Sequence, residues 1–379
     1  MKDLSERRIL IVDDVKANVD VLVQALRDDY KLSMALNGEA ALRSVGKGLP
    51  DLLLLDIVMP GIDGYEVCRR LRDDPQTREL PIMFLSSLED VRDKARGFEL
   101  GGNDYLTKPF EILEVKARVR SLLKAKAYSD GVKERSAAEL RIAREIQMGL
   151  LPADVAALVQ RSQLQFSVLL EPAKEIGGDF YDVIPLNDGR LLVVVGDVSG
   201  KGIPAALFMA VTMTLIRSAA RQFTAPDQIA HHVNAALYAH NPRGMFVTLF
   251  CCVIDTVKMT ICCANAGHPS PVLLRSDAEP SFPFYSTSAP IGVFEAVEVE
   301  ARLVDLHARD GMVIYTDGVT EAFNASGIMF ADEGLISSFQ AVADRSAAAL
   351  AACLRNAVRQ HVGNHPQSDD LTILALACP

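Results

Sequence analysis

Asp179 and Asp197 lie nine residues to either side of Asp188, the middle residue of Asn187-Asp188-Gly189. Asn-Asp-Gly between apolar runs is a strong hairpin signal. The flanking segments, Phe180-Tyr-Asp-Val-Ile184 and Leu191-Leu-Val-Val-Val195, have the composition of strands. A hairpin centred on Asp188 sets Asp179 and Asp197 against each other, and like charges directly across a strand pair destabilise it. A hard divalent cation with oxygen ligands would compensate. Turn-flanking polarity would account for one such Asp, and accounts less well for two in register. The turn Ser199-Gly200-Lys201-Gly202 follows at once, and its glycines let the backbone fold tightly and approach a ligand. It lacks the spacing of a phosphate-cradling P-loop.

Two more strand-like segments carry acidic ends: Val313-Ile-Tyr-Thr-Asp317-Gly318, and Asp369-Asp370 before Leu371-Thr-Ile-Leu. Each alone could be a turn. With Asp179 and Asp197 they make four acidic strand ends, enough oxygen for a two-metal site that activates water for in-line attack on phosphorus. No Cys is followed by the loop and Arg of a thiol phosphatase, and no Ser-His-Asp set is evident, so metal-activated water is the economical chemistry. His268, in Asn265-Ala-Gly-His-Pro, could serve as a general acid; a lone loop His is more often structural and is read so here.

A second constellation lies near the N-terminus. Asp13 and Asp14 end the run from Arg8, Asp56 ends Leu52–Asp56, Ser86 ends Ile82–Ser86, and Lys108-Pro109 follows 104–106. Capping of the next helix would explain Asp13 and Asp14 but leaves Asp56, Ser86 and Lys108 without a reason. Three carboxylates, a hydroxyl and an amine at one sheet edge suit Mg²⁺-assisted phosphoryl transfer onto Asp56. Pro109 can hold a cis bond that aims the lysine.

The elements that position these residues differ between the two halves. In residues 7–124, strands at 8–13, 31–36, 52–56, 82–86 and 104–106 alternate with helical spacing, as at Asn18–Arg27 and Tyr65–Arg72. That alternation predicts a doubly wound α/β fold with ligands beyond the carboxyl ends of its strands. Beyond residue 165, helices at 204–221 and 225–238 precede strands at 246–254, 259–264, 271–274, 313–315 and 371–376, which predicts an antiparallel α+β fold. Residues from Glu111 to Leu150 read as helix, with a break near Ser129–Gly131 because a helical Gly costs about 1 kcal/mol relative to Ala. Pro152 ends the run. Its stripe of Ala138, Ile142, Ile146 and Leu150 could form a parallel coiled-coil homodimer or pack on its own domain. Two heptads are short for a coiled coil; the reading adopted is the dimer, with the connector's Lys and Arg as a solvated face.

The chain has 379 residues, room for two or three domains. Its net charge of −10 argues against a nucleic-acid surface, and Ser337–Val362 lacks the charge and partner helix of a DNA-reading module. The N-terminus has no signal-peptide run and no stretch reaches the eighteen apolar residues of a membrane span, so a cytoplasmic protein without membrane contact is expected. Seven Cys, an odd number, imply reduced thiols. Cys251-Cys252 and Cys262-Cys263 sit in strand-like runs where neighbours face opposite ways, so they cannot converge on zinc and are read as buried small hydrophobes.

The first half, through Ile-Val-Asp13-Asp14, Leu-Leu-Asp56-Ile-Val-Met-Pro60-Gly-Ile-Asp63-Gly64, Ser86 and Lys108-Pro109-Phe110, resembles the response-regulator receiver domain. The resemblance implies Asp56 as phosphoacceptor from a histidine kinase, Mg²⁺ held by Asp13, Asp14, Asp56 and the Val58 carbonyl, phosphoryl contacts from Ser86 and Lys108, and Tyr105 as the switching aromatic. Ser86 stands where Thr is commoner and keeps the hydroxyl. The second half, through Gly-Gly-Asp179-Phe-Tyr-Asp, Gly-Asp197-Val-Ser-Gly-Lys-Gly, Asn-Ala-Gly-His268, Tyr-Thr-Asp317-Gly-Val-Thr-Glu and Asp369-Asp370-Leu-Thr, resembles PPM (protein phosphatase 2C-like) enzymes of the bacterial stress-response and sporulation branch. That implies a β-sandwich flanked by helices and two Mn²⁺ or Mg²⁺ ions bridged by Asp197. The Val198 carbonyl would serve one ion, Asp317 and Asp369 the other, Asp179 would act directly or through water, and Asp370 is a possible addition. Lys201, where His is common, is read as lying outside the ligand set. The expected organisation is a receiver at 1–124, a helical connector at 125–164 and a phosphatase domain at 165–379. The expected function is dephosphorylation of phosphoserine or phosphothreonine on a small partner of the anti-sigma-factor-antagonist type, controlled at Asp56. The alternative is a weakly catalytic adaptor binding a sigma-factor-pathway protein; retention of all four acidic positions favours the enzyme.

Overall fold

The computed structural model describes residues 4–87, 97–160, 162, 164–286, 288–340 and 342–378. The chain forms two compact units, Met1–Ala138 and Glu139–Pro379.

In the first unit β1 (Arg8–Val12), β2 (Lys31–Ala35), β3 (Leu52–Asp56), β4 (Ile82–Ser86) and β5 (Asp104–Thr107) form a parallel sheet in the order β2-β1-β3-β4-β5. Its inner strands β1, β3 and β4 are nearly continuous apolar runs because both faces are covered. Leu10, Val12, Leu53, Leu55 and Phe84 pack under α2 (Gly38–Lys47) and α3 (Gly64–Asp73). The alternating residues Ile9, Ile11, Leu52, Leu54, Met83 and Leu85 pack under α1 (Lys16–Leu26) and under Val115, Val119 and Leu123 of α4 (Ile112–Leu150). Every strand runs the same way, so Asp13, Asp56, Ser86 and Lys108 arrive at one edge.

The long helix α4 continues unbroken through Gly131, contrary to the break expected at Ser129–Gly131. One Gly costs about 1 kcal/mol, and the helix around it is held in place. Lys126 pairs with Asp130 one turn away at 2.8 Å, Asp130 also meets Arg7, and Lys133 pairs with Glu79. Near its end, Gln147 and Leu150 turn inward while Ile142 and Ile146 are 57% and 65% exposed. Packing of that stripe on its own domain is therefore excluded for these two residues.

The second unit is a sandwich of two antiparallel sheets. One has the order β12-β10-β9-β8-β7, built from β7 (Phe180–Pro185), β8 (Leu191–Val198), β9 (Val247–Asp255), β10 (Thr260–Ala266) and β12 (Ala301–Asp305). The other has the order β11-β13-β14-β6, from β6 (Gln165–Glu171), β11 (Val272–Leu274), β13 (Gly311–Tyr315) and β14 (Leu371–Ala377). Val193, Val195, Phe250 and Ile254 meet Ile314, Leu374 and Leu376 between the sheets. Outside, α6 (Ile203–Ala219) and α7 (Pro226–Tyr238) cover Leu192, Val194 and Cys251 with Met209, Ile216 and Val233. On the far side α10 (Ala347–Val362) covers Val313, Ile373 and Ala375 with Leu350, Leu354 and Val358. The strand argument for the cysteines holds: Cys251 joins the helix-covered core, Cys252 and Cys263 the inter-sheet core, and all seven thiols are free. Among the described residues no helix is long and apolar enough to cross a membrane.

Candidate functional site

At the parallel sheet's edge, the Lys108 ammonium lies 2.7 Å from Asp13 Oδ2 and 2.8 Å from Asp56 Oδ2. Asp13, Asp14 and Asp56 each offer an oxygen within 4.8 Å of the others. Asp13 also accepts from the Val15 N–H at 2.9 Å and from Asn18 Nδ2 at 3.0 Å, whereas Val15 is the N-cap of α1 and no side chain caps that helix. Burial pushes the Asp56 carboxyl above its usual range, with Lys108 opposing and Asp13 adding to the push. Burial also works against the Lys108 ammonium, but hydrogen bonds to Asp13 and Asp56 prevail and raise it. The Lys108–Pro109 bond is cis. Val58, two residues beyond Asp56, sits on the exposed loop, and Ser86 is buried opposite Thr107. The buried Tyr105 ring stands 5.3 Å from Phe84 and 5.1 Å from Phe98. A Cβ on Gly97 would fall 1.4 Å from the Tyr105 hydroxyl, so only glycine leaves that ring its place.

In the second unit, β7 and β8 pair with Phe180 opposite Gly196, and one step further the register sets Asp179 against Asp197, as the sequence count requires. Asp179 is buried, and Thr316 Oγ1 and Thr372 Oγ1 donate to its Oδ2 at 2.7 and 2.6 Å. These hydroxyls come from the opposite sheet, one just before Asp317 and one just after the Asp369-Asp370 pair, so they tie Asp179 to the strand ends that carry those residues. Burial raises both Asp179 and Asp197, and Asp197 is pushed further by the charges of Asp179, Asp317 and Asp369. Asp317 is pushed up to about 6 by burial, then by Glu321 and Asp369. Like carboxylates that cannot all ionise together mark a site built for cations.

The threonines were not singled out from sequence, although a Thr beside each acidic end was a usable signal. Asp370 has a different occupation: its oxygens accept the Ala173 and Gly178 N–H groups, each at 2.8 Å. A Cβ on Gly177 would lie 1.9 Å from Asp370 Oδ2, and one on Gly178 2.7 Å from the Val198 carbonyl. The paired glycines thus let Asp370 and the Val198 carbonyl approach the Asp179 loop. Lys201 lies 2.8 Å from Asp369 Oδ2 as a counter-charge, not as a ligand. His268 is buried, its Nδ1 3.0 Å from Thr248 Oγ1, and burial lowers it to about 3. Its enclosure agrees with a structural reading, although its Nε2 is buried without a hydrogen-bond partner among the described residues; Thr248 lies opposite Asp197 on β9.

The doubly wound unit with its buried Asp-Lys-Asp edge is a response-regulator receiver, and the helix-flanked sandwich with carboxylates at one edge has the fold of PP2C-type domains. Residues 9–120 match the response regulator receiver domain, and residues 187–379 match the family Stage II sporulation protein E (SpoIIE). The chain belongs to the SpoIIE family, here joined to an N-terminal receiver. Response regulator PleD of Caulobacter vibrioides is 43% identical over 136 residues, 36% of this chain and 30% of PleD. RpaA of Synechocystis, a DNA-binding dual master transcriptional regulator, is 41% identical over 118 residues, 31% of this chain and 49% of RpaA. The chain thus spans under half the length of these curated relatives. The SiaA-PP2C domain of Pseudomonas aeruginosa superposes with a TM-score of 0.58 at 21% identity, over 65% of this chain and 97% of that one. The phosphatase domain and regulatory fragment of SpoIIE from Bacillus subtilis gives 0.50 at 18%, over 56% and 63%. These two structures share the fold.

Proposed function

We propose that this chain removes phosphate from phosphoserine or phosphothreonine on a small partner protein, with divalent cations, under the control of phosphorylation at Asp56. The observation that carries the reading is Asp197 paired with the buried, threonine-clamped Asp179 and subject to the charges of Asp317 and Asp369. The donor set fits two Mn²⁺ or Mg²⁺ ions: all hard oxygens, mutually repelling, and raised in pKa where they are most enclosed. Asp197 would bridge them, with the Val198 carbonyl on one side and Asp317 and Asp369 on the other. When bound, such ions supply an activated water and neutralise phosphoryl charge. Asp179 orients Asp197, the two threonines fix Asp179, and Asp370 holds the 173–178 loop in place.

In the receiver, Asp56 would accept a phosphoryl group from a histidine kinase, with Asp13, Asp14, Asp56 and the Val58 carbonyl for Mg²⁺. Lys108, already within hydrogen-bond reach of Asp56, and Ser86 would hold the phosphoryl oxygens, with Tyr105 as the switching ring. The substrate class we favour is an anti-sigma-factor antagonist, and the exposed Ile142 and Ile146 support a homodimer through α4.

Hydrolysis of a small aryl phosphate with Mn²⁺ tests the site. Asp197→Asn is expected to lower kcat by at least about a hundredfold, the scale of losing a main electrostatic group. Unchanged turnover would remove the metal assignment.

A further inference from the structure

Asp369 has two oxygens, and both are engaged. Oδ1 accepts the N–H of Asp370 at 2.9 Å, while Oδ2 lies 2.8 Å from the Lys201 ammonium. Lys201 also donates to the Ser368 carbonyl at 2.7 Å. The lysine follows Asp197 in the turn between β8 and α6, whereas Ser368 and Asp369 precede β14 in the other sheet. Backbone geometry brings the two together. Gly200 and Gly202 take φ of +87° and +79° on either side of Lys201, values that a residue with a Cβ rarely adopts. The chain can therefore reverse sharply after Asp197 and still carry a long side chain across to the acidic loop. The contact spans the two sheets at the edge where the carboxylates meet.

A cation at Asp369 needs an oxygen of that carboxylate, and the oxygen not committed to backbone is the one Lys201 holds. We propose that Lys201 is a built-in competitor for the divalent ion at the Asp317–Asp369 position, so that this position binds more weakly than the Asp197–Val198 position and responds to ion concentration. The inference rests on the two-ion reading above. Lys201 is 42% exposed along its side chain, and an ion pair that open is modest in strength. The competition therefore tunes affinity and does not block the site.

Calorimetric titration of the chelator-treated full chain with Mn²⁺ tests this, using wild type, Lys201→Met and Lys201→Arg. Lys201→Met should tighten the weaker of two binding events by about two- to fivefold, and Lys201→Arg should keep the wild-type value. In chelator, Lys201→Met should melt below wild type, because Asp369 loses its counter-charge; at saturating Mn²⁺ that deficit should vanish. Wild-type binding left unchanged by Lys201→Met, with an equal melting deficit in both conditions, overturns the inference alone. A wild type that takes up no Mn²⁺ overturns the two-ion reading together with it.

Discussion

Asp179 accepts hydroxyls from Thr316 and Thr372, and hydroxyl donors let a carboxylate sit in an interior where burial would otherwise exclude it. His268 marks the other limit of this interior, an imidazole kept neutral by enclosure. Its folded pKa of about 3 lies below the ordinary 6.5, so the unfolded chain takes up this proton first as the pH falls. The stability it contributes is complete above pH 6.5 and is lost progressively towards pH 3. Denaturant melts across that range should show wild type losing on the order of a few kcal/mol more than His268→Gln; parallel curves would deny the buried neutral state. The pairing of Asp179 with Asp197 was legible because hairpin counting is local arithmetic. Lys201 was not, because its partner Asp369 is distant in sequence and meets it only once the two sheets stack. Asp370 reads from sequence as a possible addition to the ligands, and only the folded chain shows that the Ala173 and Gly178 amides have claimed it.

Strands bounded by sharp signals were found close to where they lie, and those without them were missed. Edge strand β12, Ala-Arg-Leu-Val-Asp, alternates exposed and half-buried residues, and β6 is only partly covered along its length; neither shows the apolar run that marks β3 or β8. The connector taught the opposite lesson. Gly131 was given weight as a breaker, yet a side chain there would meet open space, and ion pairs to Arg7 and Glu79 keep the helix in register. Its exposed Ile142 and Ile146 are the test of the proposed dimer. Replacing both with Glu should halve the mass seen by light scattering at micromolar concentration while leaving the helical signal nearly unchanged. A wild type already monomeric under those conditions would contradict the dimer.

Two units with separate cores are strung on one chain, and the last turns of α4 are bonded into the second. Gln147 Nε2 donates to the Gly177 carbonyl at 2.6 Å, and Arg217 reaches both Asp182 and the Leu150 carbonyl at 2.6 Å. Gly177 immediately precedes the Gly178-Asp179 step, so the helix end and the carboxylate loop share a hydrogen-bond network. Phosphorylation can change turnover only by stabilising one state of the molecule over another. The sequence identified both domains through their motifs, whereas the Gln147–Gly177 contact joins segments that only folding brings together.

The most direct measurement is dephosphorylation of a phosphoserine protein by the full chain with Mn²⁺, with and without beryllofluoride as the phosphoryl mimic on Asp56. The account predicts that the mimic changes the wild-type rate by at least about threefold, a shift of about 0.7 kcal/mol, and leaves Asp56→Asn unaffected. Equal rates for wild type with and without the mimic would contradict control of the phosphatase through Asp56.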